Sequence, residues 1–194
     1  MFQSQPVQIQ TSNFGGAQGT LFNDNTDASG FPNSGGNVFI DPERPITQID
    51  VCGGWVVDTI KTTYRLTNGN FATFQRGSPV NQGNLTSVQL NENEIISQIC
   101  GFAGYYKFYD QSLLIKLTLV ITDTSNGNVR VVGPIGGMNQ NGVPGANGQA
   151  GPDGVADGKF FSVSNPLALA GFEQQGKAQL GIAGISIVKS NMVE

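Results

Sequence analysis

Apolar and polar residues alternate in short stretches along most of this 194-residue chain, and a period of two predicts β-strands. The clearest alternation runs from Val57 to Tyr64, from Leu114 to Ile121 and from Leu180 to Ile187. Further strands are predicted at Asn70 to Gln75, Leu85 to Leu90, Val129 to Val132 and Phe160 to Val163, where β-branched and aromatic residues concentrate. Asn68-Gly69 and Asn126-Gly127 read as tight hairpin turns, because Asn and Gly tolerate the positive φ such turns require. No stretch of ten or more residues carries a helical period. The pattern predicts an all-β chain.

The chain also resembles itself. Ile46-Thr47-Gln48-Ile49 matches Ile96-Ser97-Gln98-Ile99, and Cys100-Gly101-Phe102-Ala103 matches Ala170-Gly171-Phe172-Glu173. Each copy leads through a loop into one of the three alternating strands. Aligned this way, Ile60, Leu117 and Ala183 are equivalent and are expected to face one shared interior; Thr62, Leu119 and Ile185 follow. Uneven spacing argues against a stacked solenoid, and three unequal copies suit a closed assembly of three sheets.

Two insertions interrupt the pattern. Residues 23–45 are rich in Asn, Asp, Gly and Pro and read as a long loop with a short strand at Asn37 to Ile40. Residues 137–158 read as a second loop, in which Gly142, Gly145, Gly148, Gly151 and Gly154 recur every third residue. Five triplets with only Pro144 and Pro152 are too few for a collagen helix, so an exposed loop adding little stability is expected.

One domain accounts for the length. A net charge of −4, with ten Lys plus Arg in all, argues against nucleic acid and against anionic membrane surfaces. No apolar run reaches transmembrane length, and Met1 to Gln5 leads into no signal-peptide core. A cytosolic protein, or one released without a signal peptide, is expected; a secreted mature form carrying a new Met1 fits as well. Histidine is absent, which removes His-based triads and the usual zinc sites, so neither metal nor cofactor is expected. Cys52 and Cys100 read as free thiols, with a disulfide between them as the alternative.

Candidate chemistry centres on Gly54-Trp55-Val56-Val57-Asp58, a glycine turn followed four residues later by a carboxylate that opens a strand. Such a turn can aim backbone N–H donors and one carboxylate acceptor at vicinal hydroxyls, with glycine allowing close approach of a ring. Asp58 is also readable as a solvated residue opening a strand, and Trp55, the single tryptophan, as an apolar plug. Tyr105, Tyr106, Phe108 and Tyr109 cannot all point into one core, so some are expected at the surface, for sugar stacking, subunit contact or core capping.

In chain order, several segments resemble the jacalin-related lectins over nearly the whole length. Phe14-Gly15-Gly16-Ala17-Gln18-Gly19 is similar to the family's opening glycine loop. Ile46 to Tyr64 resembles its hairpin ending G-x-x-V-D-x-I, and Glu94 to Gly104 its E-x-I-x-x-I-x-G strand. Val132-Gly133-Pro134-Ile135-Gly136 matches its Y-G-P-x-G turn, and Gly171-Phe172 with Leu180 to Ile187 its closing strands.

The resemblance implies a β-prism of three four-stranded antiparallel sheets with pseudo-three-fold symmetry, binding sugars through loops at one end. It also implies a principal site pairing Gly15 and Gly16 with a Gly-x-x-x-Asp loop, but Lys177 stands in place of that Gly and Gly181 in place of that Asp. Gln174, Gln175 and Gln179 are the neutral hydrogen-bonding groups nearby. A second site survives as Gly54, Trp55, Val56 and Asp58, with Gly77 and Ser78 of the Arg76–Asn84 loop as companions. Tyr105 completes the carbohydrate-binding set.

The expected activity is non-catalytic recognition of glycans or glycoproteins, mannose-type first, with a homo-oligomer as one route to avidity. The competing reading is an interaction, structural or cell-targeting toxin-like protein that uses the prism as a scaffold. A carboxylate dyad of Asp110 or Asp58 with Glu173 is the only enzymatic arrangement the residues offer, and no spacing supports it.

Overall fold

The computed structural model describes residues 7–30, 38–78, 84–139, 141, 142, 145, 151, 154–174 and 181–191. Its strands in chain order are β1 (Val7–Gln10), β2 (Phe14–Gly15), β3 (Thr20–Asn23), β4 (Ile46–Gly53), β5 (Val57–Arg65), β6 (Phe71–Gly77) and β7 (Asn84–Gln89). There follow β8 (Glu94–Tyr106), β9 (Gln111–Asp123), β10 (Val129–Gly136), β11 (Val155–Ser164), β12 (Pro166–Glu173) and β13 (Ile182–Asn191). Three antiparallel sheets result, ordered β6-β5-β4-β7, β10-β9-β8-β11 and β1-β13-β12-β3, with the short β2 also paired to β13. The inner strands β5, β9 and β13 touch one another in pairs, so the sheets close around a common interior as a β-prism. The Asn-Gly turns fall where expected: Gly69 and Gly127 have φ of 83° and 76°.

Ile49, Ile60, Tyr64, Ile99, Leu117, Leu119, Ile185 and Ile187 belong to the main core. A smaller apolar cluster at one end holds Val56, Phe102, Tyr106, Leu113, Ile115 and Ala183. The expected equivalence of Ala183 with Ile60 and Leu117 is therefore corrected. Each inner hairpin carries a bulge: Asp58 lies between the pairs Cys52↔Thr59 and Gly53↔Val57. Ile115 lies between Phe102↔Lys116 and Ala103↔Leu114, and Ala183 between Phe172↔Gly184 and Glu173↔Ile182. Asp58, Ile115 and Ala183 are thus the equivalent set, and two residues on stand Ile60, Leu117 and Ile185. A shift of two residues keeps every side chain on the same face of its sheet, so the alternation left the third copy's register undetermined by two.

Residues 23–45 are not wholly loop. A helix α1 (Asp24–Ser29) follows Asn23, whose side chain accepts from the N–H groups of Asn25 and Thr26, and ends at Gly30 in the left-handed region. Of the short strand expected at Asn37 to Ile40, Asn37 lies outside the described residues and Ile40 forms a single bridge to Leu66. Tertiary contacts hold the helix. Buried Asp24 accepts from the Tyr64 hydroxyl at 2.6 Å and from Arg76 Nε at 2.8 Å, and the Arg76 guanidinium lies over the rings of Phe22 and Phe74. Cys52 and Cys100 are free thiols.

Candidate functional site

The β4–β5, β8–β9 and β12–β13 connections all lie at the end of the prism capped by the smaller apolar cluster. There the bulge position is filled by Ile115 and Ala183 in two sheets and by the carboxylate of Asp58 in the third. Asp58 is only 5% exposed. Burial strips its carboxylate of water and pushes its pKa up to about 7, partly offset by the nearby N–H of Gly54. The same burial, with the Asp58 charge added, raises the Tyr109 phenol, which places the middle hairpin's loop beside the carboxylate.

Around Asp58 the turn is ordered by its own backbone: Gly54 N–H donates to the Val56 carbonyl at 3.0 Å, and Gly54 accepts from Met138 N–H at 2.9 Å. Val56 is buried in the end cluster. The N–H groups of Trp55 and Val56 make no hydrogen bond among the described residues. Trp55, half-buried, packs on that cluster and meets the edge of Phe108 with ring centroids 5.5 Å apart. Phe108 is 49% exposed, whereas Tyr106 is fully buried, so the aromatic run divides between surface and core as expected. Tyr105 is half-buried and its hydroxyl donates to Asp110.

Gly77 and Ser78 stand beside Asp58 but are buried, and their backbone donors are engaged. Gly77 N–H donates to Glu173 Oε2 at 2.7 Å, and Ser78 N–H to the Asp58 carbonyl at 2.9 Å. Residues 79–83 of that loop lie outside the described residues. Gly15 and Gly16 are tied to β13: Gly15 pairs with Gly184, and Gly16 N–H donates to the Ala183 carbonyl at 2.8 Å. Gln174 bonds Gln111 at 2.8 Å, while Gln175, Lys177 and Gln179 lie outside the described residues. Gly181 abuts the first site instead of forming its own, since a Cβ there would sit 1.9 Å from the Asp58 carbonyl oxygen. The bulge register gives the Asp58 place to Ala183, and neither residue has a side-chain acceptor.

Three contributors reach this site through contacts the sequence did not point to. Glu173 bridges the sheets by taking the Gly77 N–H, with its other oxygen 3.6 Å from Arg76, which removes it from any dyad. Tyr109 approaches Asp58. The insertion 137–158 is not wholly exposed: Gly145 and Gly151 are buried, and Lys116 Nζ donates to the Gly145 carbonyl. A Cβ on Gly151 would lie 1.5 Å from the Tyr106 hydroxyl and 3.2 Å from the Trp55 ring. These contacts join residues 29 to 97 positions apart, which no local pattern encodes.

A family model described as "Jacalin-like lectin domain" matches residues 11–172. No curated protein matches the chain by sequence. Among solved structures, a mannose-specific jacalin-related lectin from Morus nigra, in complex with mannose, has a TM-score of 0.62 at 14% identity, over 98% of this chain and 97% of that one. AcmJRL, a mannose-binding jacalin-related lectin from Ananas comosus, gives 0.61 at 18% identity, over 94% and 98%. The wild-type Malaysian banana lectin gives 0.61 at 17% identity, over 94% and 97%. At these identities the likeness shows a shared fold.

Proposed function

This chain belongs to the Jacalin-like lectin domain family, and from that premise we propose that it binds mannose-type glycans at the Asp58 end of the prism, without catalysis. The observation that carries the reading is a desolvated carboxylate beside a glycine turn whose Trp55 and Val56 N–H groups make no bond among the described residues. Two sugar hydroxyls donating to Asp58 restore the hydrogen bonds that burial has removed, while those N–H groups donate to sugar oxygens. Trp55 and Phe108 offer an apolar wall for the ring face. The mannose preference rests on what the similar lectins bind, and the partners on this reading are glycans or glycoproteins.

Titration calorimetry of the intact chain with the glycan that an array screen selects tests it. Asp58→Ala is expected to weaken binding by about 1.5–3 kcal/mol, the range for a hydrogen bond to a charged group. Gly181→Ala is expected to weaken it too, because the added Cβ would press on the Asp58 backbone. Unchanged binding in Asp58→Ala moves the site elsewhere. The scaffold reading draws on a different observation, the prior engagement of the Gly77 and Ser78 donors. Wild-type protein that binds no glycan on the array favours it.

A further inference from the structure

At the pole opposite Asp58 the connections before β4, after β5, between β7 and β8 and after β9 converge on an open cavity of about 440 Å³. That volume falls within the roughly 300–1,000 Å³ of small-molecule sites. Its walls are polar. Asp41, Glu43 and Arg44 come from the end of the first insertion, Arg65 from the end of β5, and Glu92 and Asn93 from the β7–β8 turn.

The frame is well fixed. Asp41 N–H donates to the Arg65 carbonyl at 2.9 Å, and Arg65 N–H to the Pro45 carbonyl at 3.0 Å. Arg44 Nη2 donates to the Asn91 carbonyl at 2.9 Å, and both the N–H and the hydroxyl of Thr124 hold the Asn93 carbonyl. Arg65 faces Asp41 at 3.4 Å. Arg44 Nε is enclosed, with no acceptor among the described residues, and Arg44 lines the cavity through its other atoms. The side chains of Glu43, Glu92 and Asn93 make no hydrogen bond among the described residues.

We propose that this cavity is a second ligand site, taking a small neutral polyhydroxylated molecule, a sugar unit or polyol, at the pole opposite the Asp58 site. The charges select the class. Three carboxylates oppose two guanidinium groups, so the lining is net negative and disfavours a free anion. A bare cation meets the two arginines, and no group of carboxylates among the described residues is arranged to hold a metal. An apolar ligand would strip water from charges and return only the side chain of Ile95. A hydroxyl donates and accepts at once, so neighbouring hydroxyls can give protons to Glu92 or Glu43 while accepting from the terminal N–H groups of Arg44.

The test is amide-resolved NMR of the intact chain, titrated separately with methyl α-mannoside, methyl β-galactoside, glycerol and, as a zwitterion, serine. The expected result is saturable shifts at Asp41, Glu43, Arg44 and Asn93 with at least one of the polyhydroxylated probes. Binding there weakens about tenfold or more in Arg44→Met and in Glu92→Gln, and is unchanged in Asp58→Ala. Glu92 is exposed, so its variant keeps the test decisive if Arg44→Met fails to fold. Shifts confined to the Gly54–Asp58 end overturn this proposal and leave the glycan reading standing; shifts at the Arg44 pole alone do the reverse. Response to serine alone, or shifts that ignore both variants, also overturns it.

Discussion

Asp58 is a carboxylate at a bulge whose counterparts in the other two sheets are Ile115 and Ala183, and this placement governs how it titrates. Its pKa rises from the ordinary 3.8 to about 7 because folding favours its protonated form. Between about pH 4 and 7 the folded chain therefore holds more proton on Asp58 than the unfolded chain does. Stability from this group falls as pH rises through that window, and the full cost is present above about 7. At about 1.4 kcal/mol per unit, the ceiling is about 4 kcal/mol. Asp58→Asn is expected to raise the melting temperature near pH 8 and leave it nearly unchanged near pH 4; equal effects at both would mean the group titrates normally. Glycan affinity should run the other way, increasing as pH rises through about 7, because only the ionised carboxylate accepts from two hydroxyls without keeping a proton of its own. Gly151 makes a separate prediction. With φ of +58° and Tyr106 against its missing Cβ, Gly151→Ala should cost about 1–3 kcal/mol in urea denaturation. An unchanged midpoint would show that this part of the insertion can lift away freely.

Among the elements, strands were legible because one buried face imposes a period of two; the structure lengthens most of them by a residue or more at their ends. The helix was not legible. Six residues carry too little period to read, and α1 exists through its caps and through Asp24 meeting Tyr64 and Arg76, 40 and 52 positions away. The site was half legible: the turn and carboxylate of Gly54–Asp58 lie within five residues, whereas Tyr109, Glu173 and Gly181 reach it only through the closed prism. Arg76 is the link between elements. It bonds Asp24 and Asp27 of α1, approaches Glu173 of β12 and is 14% exposed at its side chain. Removing it takes the cation away from the buried carboxylates of Asp24 and Glu173. Arg76→Ala should therefore destabilise the fold by about 3–5 kcal/mol, as breaking a buried ion pair does. A loss below about 1 kcal/mol in urea denaturation would mean that α1 and the end of β6 are held by other contacts. The same variant should weaken glycan binding, because Gly77 and Ser78 follow Arg76 directly and pack on the Asp58 backbone.

For the whole molecule, the two poles set the valence. Shallow sugar sites bind at about millimolar Kd, about 4 kcal/mol each, so function at low glycan density depends on engaging several at once. A prism with one functional end needs self-association to do so. A prism with sites at both poles does not, because β8 alone, 13 residues at about 3.3 Å each, spans about 40 Å between them. Two sites that far apart and facing away from each other cannot both reach one flat glycan surface, but they can bridge two. The monomer is therefore expected to cross-link vesicles bearing mannose headgroups, read as turbidity, while sedimenting as a single chain. Asp58→Ala and Arg44→Met should each abolish the turbidity, and free methyl α-mannoside should reverse it. Each variant should also keep the sugar-induced NMR shifts at the pole it leaves intact. Turbidity that survives in either single variant would place the valence in self-association instead, and sedimentation of the wild type as a dimer under the same conditions would confirm that outcome.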